Sequence, residues 1–283
     1  MDNLIVCLIE AKDTTTVHSK IVLTSALFFA PSPRTRIAEV RLVGRHPEVY
    51  EPCDDSFALV DALLADKAQL EELKPSLCLE VGCGSGYVIT SLALILGNCS
   101  NSEVQFLATD VSEAAVHTTC STLAAHHVNA EVVVADLVSG LEKRLDKVVD
   151  VLVFNPPYVP TPEHEVGVEG IASAWAGGDR GRMVIDRMLS IIDSLLSSKG
   201  IFYLVAVTEN NPGEICQVMR CKGFASRIVV QRHTDEESLH VLKFWRVDDP
   251  LDQEGPTTPS VSPRTSSLHR TFSQRLARLV SFK

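Results

Sequence analysis

Residues 77 to 86 read LCLEVGCGSG, an apolar run that ends on an acid and then passes through three glycines at alternate positions. The run has the length and composition of a buried strand, and YVITSLALILG (87 to 97) after it has the pattern of an apolar helix stopped by Gly97. A glycine-rich turn between strand and helix lets the backbone approach a nucleotide-like ligand at the carboxyl edge of a sheet. The spacing of Gly82, Gly84 and Gly86 is G-x-G-x-G, one residue short of the dinucleotide fingerprint, so the loop alone does not call for a pyrophosphate.

The same alternation extends in both directions from this loop. VQFLATD (104 to 110) reads as a second strand, and SEAAVHTTCSTLAAHH (112 to 127) as a helix with Ser112 as its N-cap. EVVVADL (131 to 137) and VVDVLVF (148 to 154) read as the third and fourth strands. RMVIDRMLSIIDSLLSS (182 to 198) is predicted as a helix stopped by Gly200, followed by the strand IFYLVAV (201 to 207). PGEICQVMRCKG (212 to 223) opens on proline and closes on glycine, as helices often do. SRIVVQR (226 to 232) and SLHVLKFWR (238 to 246) have no helix between them and predict an antiparallel hairpin. The expected fold is therefore α/β: a seven-stranded, mostly parallel, doubly wound sheet with a terminal antiparallel hairpin, over residues 41 to 247. Residues 1 to 40 read as a poorly ordered leader. Residues 248 to 283 read as a disordered Pro/Ser/Thr linker and a basic amphipathic tail, with Leu268, Phe272, Leu276, Leu279 and Val280 in one stripe.

Composition narrows the class of function. A formal net charge of -10 and a pI near 5.4 argue against a protein that holds nucleic acid by its own charge. No apolar stretch reaches the length of a membrane span. The eight cysteines include no C-x-x-C pair and no histidine at zinc-ligand spacing, so reduced thiols, no metal site and a cytoplasmic or also nuclear location are expected.

Three acids stand at successive strand ends. Asp110 is placed to accept from both hydroxyls of a ribose, and Asp136 with Leu137 offers an acceptor for an adenine amine beside an apolar contact for the ring. Glu80 faces the position of a cationic amino group. A ligand with an adenosine end and an amino-acid end, bound without phosphates, is S-adenosylmethionine.

The fourth strand exits through NPPY (155 to 158), whose carboxyl end borders the same crevice in a doubly wound sheet. Amide and aryl amine nitrogens are poor nucleophiles because the lone pair is delocalised, so geometry has to activate them. Asn155 can accept one N–H through its side-chain oxygen and the Pro156 carbonyl can accept the other. Pro156 and Pro157 hold that carbonyl rigid, and Tyr158 offers a flat wall to a planar group. These residues point to an NH2 on a planar group and leave open which one.

Together LEVGCGSG, the second-strand TD, the third-strand ADL and NPPY resemble the class I methyltransferases of the HemK type, and among them the eukaryotic release-factor glutamine methyltransferases. The likeness extends to VYEPCDDSFALVDALL (49 to 64), AWAGGDRGRMVIDRM (174 to 188) and VLKFW (241 to 245). It implies that Tyr50, Glu51, Pro52 and Ser56 belong to a segment folding over the cofactor. Glu80, Gly82, Gly84, Gly86, Asp110, Asp136, Leu137 and Asn155 would contact it, and Asn155, Pro156, Pro157 and Tyr158 would take the substrate. The implied substrate is the glutamine amide of a Gly-Gly-Gln loop in a class 1 release factor, with an adenine amine of DNA or RNA, or a protein lysine, as alternatives. The implied partner is a small zinc-binding activator subunit, which the edge strand 131 to 137 would receive.

Overall fold

The computed structural model describes residues 36–97, 104–168, 170–234 and 237–247. The linker and tail after 247, and most of the leader, lie outside the described residues. Packing already begins before residue 41: Ala38 is buried, and its N–H donates to Ser91 Oγ at 3.1 Å.

The strands are β1 (Leu77–Val81), β2 (Gln105–Asp110), β3 (Glu131–Val134), β4 (Val149–Phe154), β5 (Leu196–Val207), β6 (Phe224–His233) and β7 (Ser238–Arg246). They form one sheet in the order β3-β2-β1-β4-β5-β7-β6. The pairs from β3 to β5 are parallel; β7 runs antiparallel to both β5 and β6, as the absence of a helix between the last two runs requires. The strand order reverses between β1 and β4, so the crevice of a doubly wound sheet opens over the carboxyl ends of these two strands. Every residue of β4 is buried, which accounts for its unbroken apolar composition apart from Asp150. The Asp150 carboxylate is satisfied by Ser76 N–H at 2.7 Å and Ser197 Oγ at 2.6 Å.

The helices are α1 (Asp54–Ala65), α2 (Lys67–Leu73), α3 (Tyr87–Leu96), α4 (Glu113–Ala125), α5 (Glu142–Leu145), α6 (Met183–Leu195) and α7 (Pro212–Cys221). Ser112 caps α4 by accepting from Ala115 N–H, and Pro212 opens α7 behind an Asn211 cap. The largest departures from the sequence reading fall at two boundaries. α6 ends at Leu195 instead of Ser198, because Leu196 turns extended and begins β5, leaving Gly200 inside the strand. At Gly200 an added Cβ would stand 2.8 Å from the Val149 carbonyl, so this glycine serves the close approach of β4 and is not a helix stop. The third strand ends at Val134 and not at Leu137; Ala135 still donates to the Asp110 carbonyl, and the chain then turns.

α1 lies against α3 and strands β5 to β7, and a buried polar knot fixes its far end. Asp66 there accepts from Lys243 Nζ at 2.6 Å, Tyr203 Oη at 2.9 Å and Arg227 Nη2 at 3.1 Å. Lys243 is 2% exposed, and burial lowers its pKa while the Asp66 carboxylate opposes that shift. The other end of α1 carries Asp55 and Ser56 to the crevice.

Candidate active site

A cleft of about 330 Å3 opens where the strand order reverses. Its walls include Tyr50, Ser56, Glu80, Gly82, Gly84, Asp110, Asp136, Leu137, Asn155, Pro156 and Pro157, so most residues named from the sequence converge on one space.

The glycine loop is held from beneath by α4. Thr119 Oγ1 donates to the Gly84 carbonyl at 3.0 Å, and Thr122 Oγ1 to the Ser85 carbonyl at 2.7 Å. Gly82 and Gly84 have positive φ angles of 69° and 51°, which bare the loop backbone toward the cleft. Gly86 has a different task and is not among the lining residues: a Cβ there would meet the Thr119 backbone at 2.9 Å. Its missing side chain lets α3 start against α4.

The first two acids each have a backbone duty as well as an open face. Glu80, 2% exposed, accepts from Ile89 N–H at 2.8 Å; Asp110 accepts from Gly84 N–H at 2.8 Å and Ser112 N–H at 2.9 Å. A carboxylate offers about four lone-pair positions, so both retain acceptor capacity toward the cleft. Burial pushes the Glu80 carboxyl well above the usual carboxylate range, with the Asp110 charge adding to the shift and the Ile89 N–H opposing it. Asp110 is raised as well, chiefly by burial and against its backbone donors. A cationic ligand group would favour the ionised form of both. Leu137 follows Asp136 at φ 54°, a left-handed conformation uncommon for a leucine, and it lines the cleft.

At the end of β4, the side-chain oxygen of Asn155 is buried and has no hydrogen-bond partner. Such an atom costs about 1–3 kcal/mol when left unpaired, so its place on the cleft wall marks where a donor is to be received. The loop from 174 to 181 braces the NPPY exit. Val159 N–H donates to the Trp175 carbonyl at 2.9 Å, and Gly177 N–H donates to the Val159 carbonyl at 2.8 Å. Asn210, fully buried, donates to the carbonyls of Tyr158 and Arg180 at 2.8 Å and accepts from Val207 N–H at 2.8 Å.

Tyr158 is 8% exposed and stands behind the cleft instead of on its wall. Its hydroxyl lies 3.2 Å from both Asp55 Oδ2 and Glu237 Oε1, and its one hydrogen serves one carboxylate at a time. Burial beside these carboxylates raises the phenol pKa and keeps that hydrogen in place. Tyr158 therefore ties NPPY to the start of α1 and to the β6–β7 turn. Asp55, Glu237 and Asn210 escaped the sequence reading, although Asp55 lies inside the quoted stretch 49 to 64. Arg187, within residues 174 to 188, escaped it too; it lines the cleft and binds Asp136. Glu51 and Pro52 border a smaller depression away from the main cleft.

A doubly wound sheet with a G-x-G-x-G loop, acids at the ends of β1 and β2 and an unpaired asparagine at the end of β4 defines a class I methyltransferase. The chain belongs to the methyltransferase small domain family, whose model matches residues 56–220. It is 45% identical over 203 residues to Methyltransferase HEMK2 of Homo sapiens, a match that covers 72% of this chain and 92% of that protein. It is 36% identical over 222 residues to the eRF1 methyltransferase catalytic subunit mtq2 of Schizosaccharomyces pombe, covering 73% and 93% of the two chains. Among solved structures, the Mtq2–Trm112 complex of E. cuniculi matches with 26% identity and a TM-score of 0.48, over 71% of this chain and 99% of that chain.

Proposed function

We propose that this chain is the catalytic subunit of an S-adenosylmethionine-dependent protein glutamine methyltransferase that modifies the Gly-Gly-Gln glutamine of a class 1 release factor. Its relatives named as HEMK2 methyltransferase and as an eRF1 methyltransferase subunit support the reading. The observation that carries it is the buried, unpartnered Oδ1 of Asn155 on the wall of the cleft that the acids share.

The residues fit the cofactor. Glu80 would hold its amino group, Asp110 its ribose hydroxyls and Asp136 its adenine amine, with Leu137 against the ring and Ser56 and Tyr50 at the covering segment. The bound cofactor supplies a methyl group activated by its positive sulfur. The chain's own work is positioning. Asn155 Oδ1 accepts one N–H of the glutamine amide, the Pro156 carbonyl is available to the other, and the nitrogen lone pair is turned out of conjugation toward the methyl. Removing one such preorganised contact typically costs about 10²–10³ in rate.

β3 is an edge strand of four residues, with Val134 49% exposed and Val132 and Val133 half-buried. An exposed edge of valines calls for a cover, and a small zinc-binding activator pairing with 131 to 137 would supply one. Among the described residues no helix is long and apolar enough to cross a membrane. We assign the enzyme to the cytoplasm, because its proposed substrate acts in translation termination. The test is to purify the chain with the activator, supply labelled S-adenosylmethionine, and compare a Gly-Gly-Gln release factor with double-stranded DNA. Label on the release factor supports the proposal; label on DNA alone overturns it.

A further inference from the structure

Asp136 does not face the cleft as a free carboxylate. Arg187, in the second turn of α6, donates from Nη2 to Asp136 Oδ2 at 2.7 Å, and both side chains line the cleft. They stand about half exposed, at 52% and 54%, so as a surface ion pair the contact adds little to stability. Its geometry has a stronger consequence. An unpartnered aspartate can turn about its side-chain bonds, and here one of its oxygens is taken. The turn is itself constrained, with Ser139 N–H on the Asp136 carbonyl at 3.0 Å and Leu137 left-handed. Backbone and guanidinium together leave Oδ1 as the oxygen offered to a ligand.

We propose that Arg187 is a positioning residue for purine recognition: by gripping Asp136 Oδ2 it fixes Oδ1 as an acceptor that takes a 6-amino purine and rejects a 6-oxo purine. This rests on the reading of Asp136 as the adenine contact. A 6-amino group donates to Oδ1, whereas a 6-oxo group would set an oxygen against a carboxylate that Arg187 prevents from turning away. Sites built around a buried hydrogen bond reject the mismatched analogue by about 10⁴–10⁵, and solvent at this half-exposed pair screens part of that penalty. Without Arg187 the carboxylate swings, and the rejection relaxes.

The experiment measures binding of S-adenosylhomocysteine and S-inosylhomocysteine to the full chain by calorimetry, in wild type, Arg187→Met, Arg187→Lys and Asp136→Asn. Wild type should prefer the adenosyl compound by at least about 100-fold. Arg187→Met should cut that preference about tenfold with an unchanged thermal midpoint, and Arg187→Lys should fall between them, since a lysine keeps the charge without the planar fork. Asp136→Asn should bring the two ligands near parity. A wild-type preference retained in Arg187→Met would overturn the proposal; if Arg187→Met does not fold, a wild-type preference in Arg187→Lys does the same. A different pattern would strike the underlying reading: no preference in wild type, or adenosyl affinity unchanged in Asp136→Asn, would mean that Asp136 is not at the purine.

Discussion

Glu80→Gln separates the structural duty of the first acid from its electrostatic one. Glutamine keeps an oxygen for Ile89 N–H, the 2.8 Å contact that fixes the start of α3, and removes only the charge. In the free protein the Glu80 pKa is raised by burial, so between the ordinary carboxylate range and that raised value the folded state holds a proton that the unfolded state has lost. Its contribution to stability is complete below the unfolded pKa and is lost as pH rises through the folded one, at up to about 1.4 kcal/mol per pH unit. Asp110 is raised in the same direction and adds to the slope. Glu80→Gln should therefore flatten the fall in thermal midpoint with rising pH and leave the ligand-free variant more stable than wild type at neutral pH. Cofactor binding should move the opposite way. A hydrogen bond between charged groups is worth about 1.5–3 kcal/mol, so the variant should bind S-adenosylmethionine roughly 10- to 150-fold more weakly. Binding to wild type should release protons, seen as a heat that depends on the buffer, and this release should shrink in the variant. Equal affinity, equal proton release and an unchanged pH profile in Glu80→Gln would refute the placement of this carboxylate opposite a cationic group.

Three other substitutions probe the supports of the site. Gly181→Ala should cost ~3 kcal/mol in urea unfolding, because at φ 67° its Cβ would overlap the Tyr158 carbonyl and crowd Asn210 Nδ2; wild-type stability would mean that the loop yields freely. Asp66→Ala should lose about 3–5 kcal/mol by leaving the buried Lys243 with Gln69 but no countercharge, and the double variant with Lys243→Met should regain most of it; no recovery would show that the pair does not act as a unit. Tyr158→Phe removes the hydroxyl shared with Asp55 and Glu237; transfer should slow about tenfold while homocysteine-product affinity stays near wild type, and loss of both would place Tyr158 among the cofactor contacts.

The fold was legible in the sequence because period and punctuation agreed: apolar runs of strand length, helices with recognisable caps, and a final pair of strands with no helix between them. What the pattern could not show was where a helix gives way to a strand without a breaker. Between α6 and β5 the chain changes conformation at Leu196, amid Leu and Ser residues that carry no signal, and Gly200 drew the boundary toward itself. Glu80, Asp110 and Asn155 were visible because chemistry-bearing residues at strand ends are few. Asp55, Arg187, Asn210 and Glu237 were not, since each acts through a partner far away in the chain: Tyr158 and Asp55 are 103 residues apart, and Arg187 and Asp136 are 51 apart. Tyr158 shows the same limit in reverse. An aromatic next to a reaction centre suggests a wall, yet its hydroxyl partners make it a brace.

The role of Asn155 is open to one direct measurement: single-turnover transfer from S-adenosylmethionine to a Gly-Gly-Gln release factor, with the modified residue located by mass spectrometry, in wild type and Asn155→Ala bound to the activator. If the unpaired oxygen receives the target amide, wild type adds one methyl group to the glutamine side chain, and Asn155→Ala slows that step about 10²–10³-fold while cofactor binding changes little. Transfer at the wild-type rate in Asn155→Ala, or methyl found on a lysine and none on the glutamine, would contradict it.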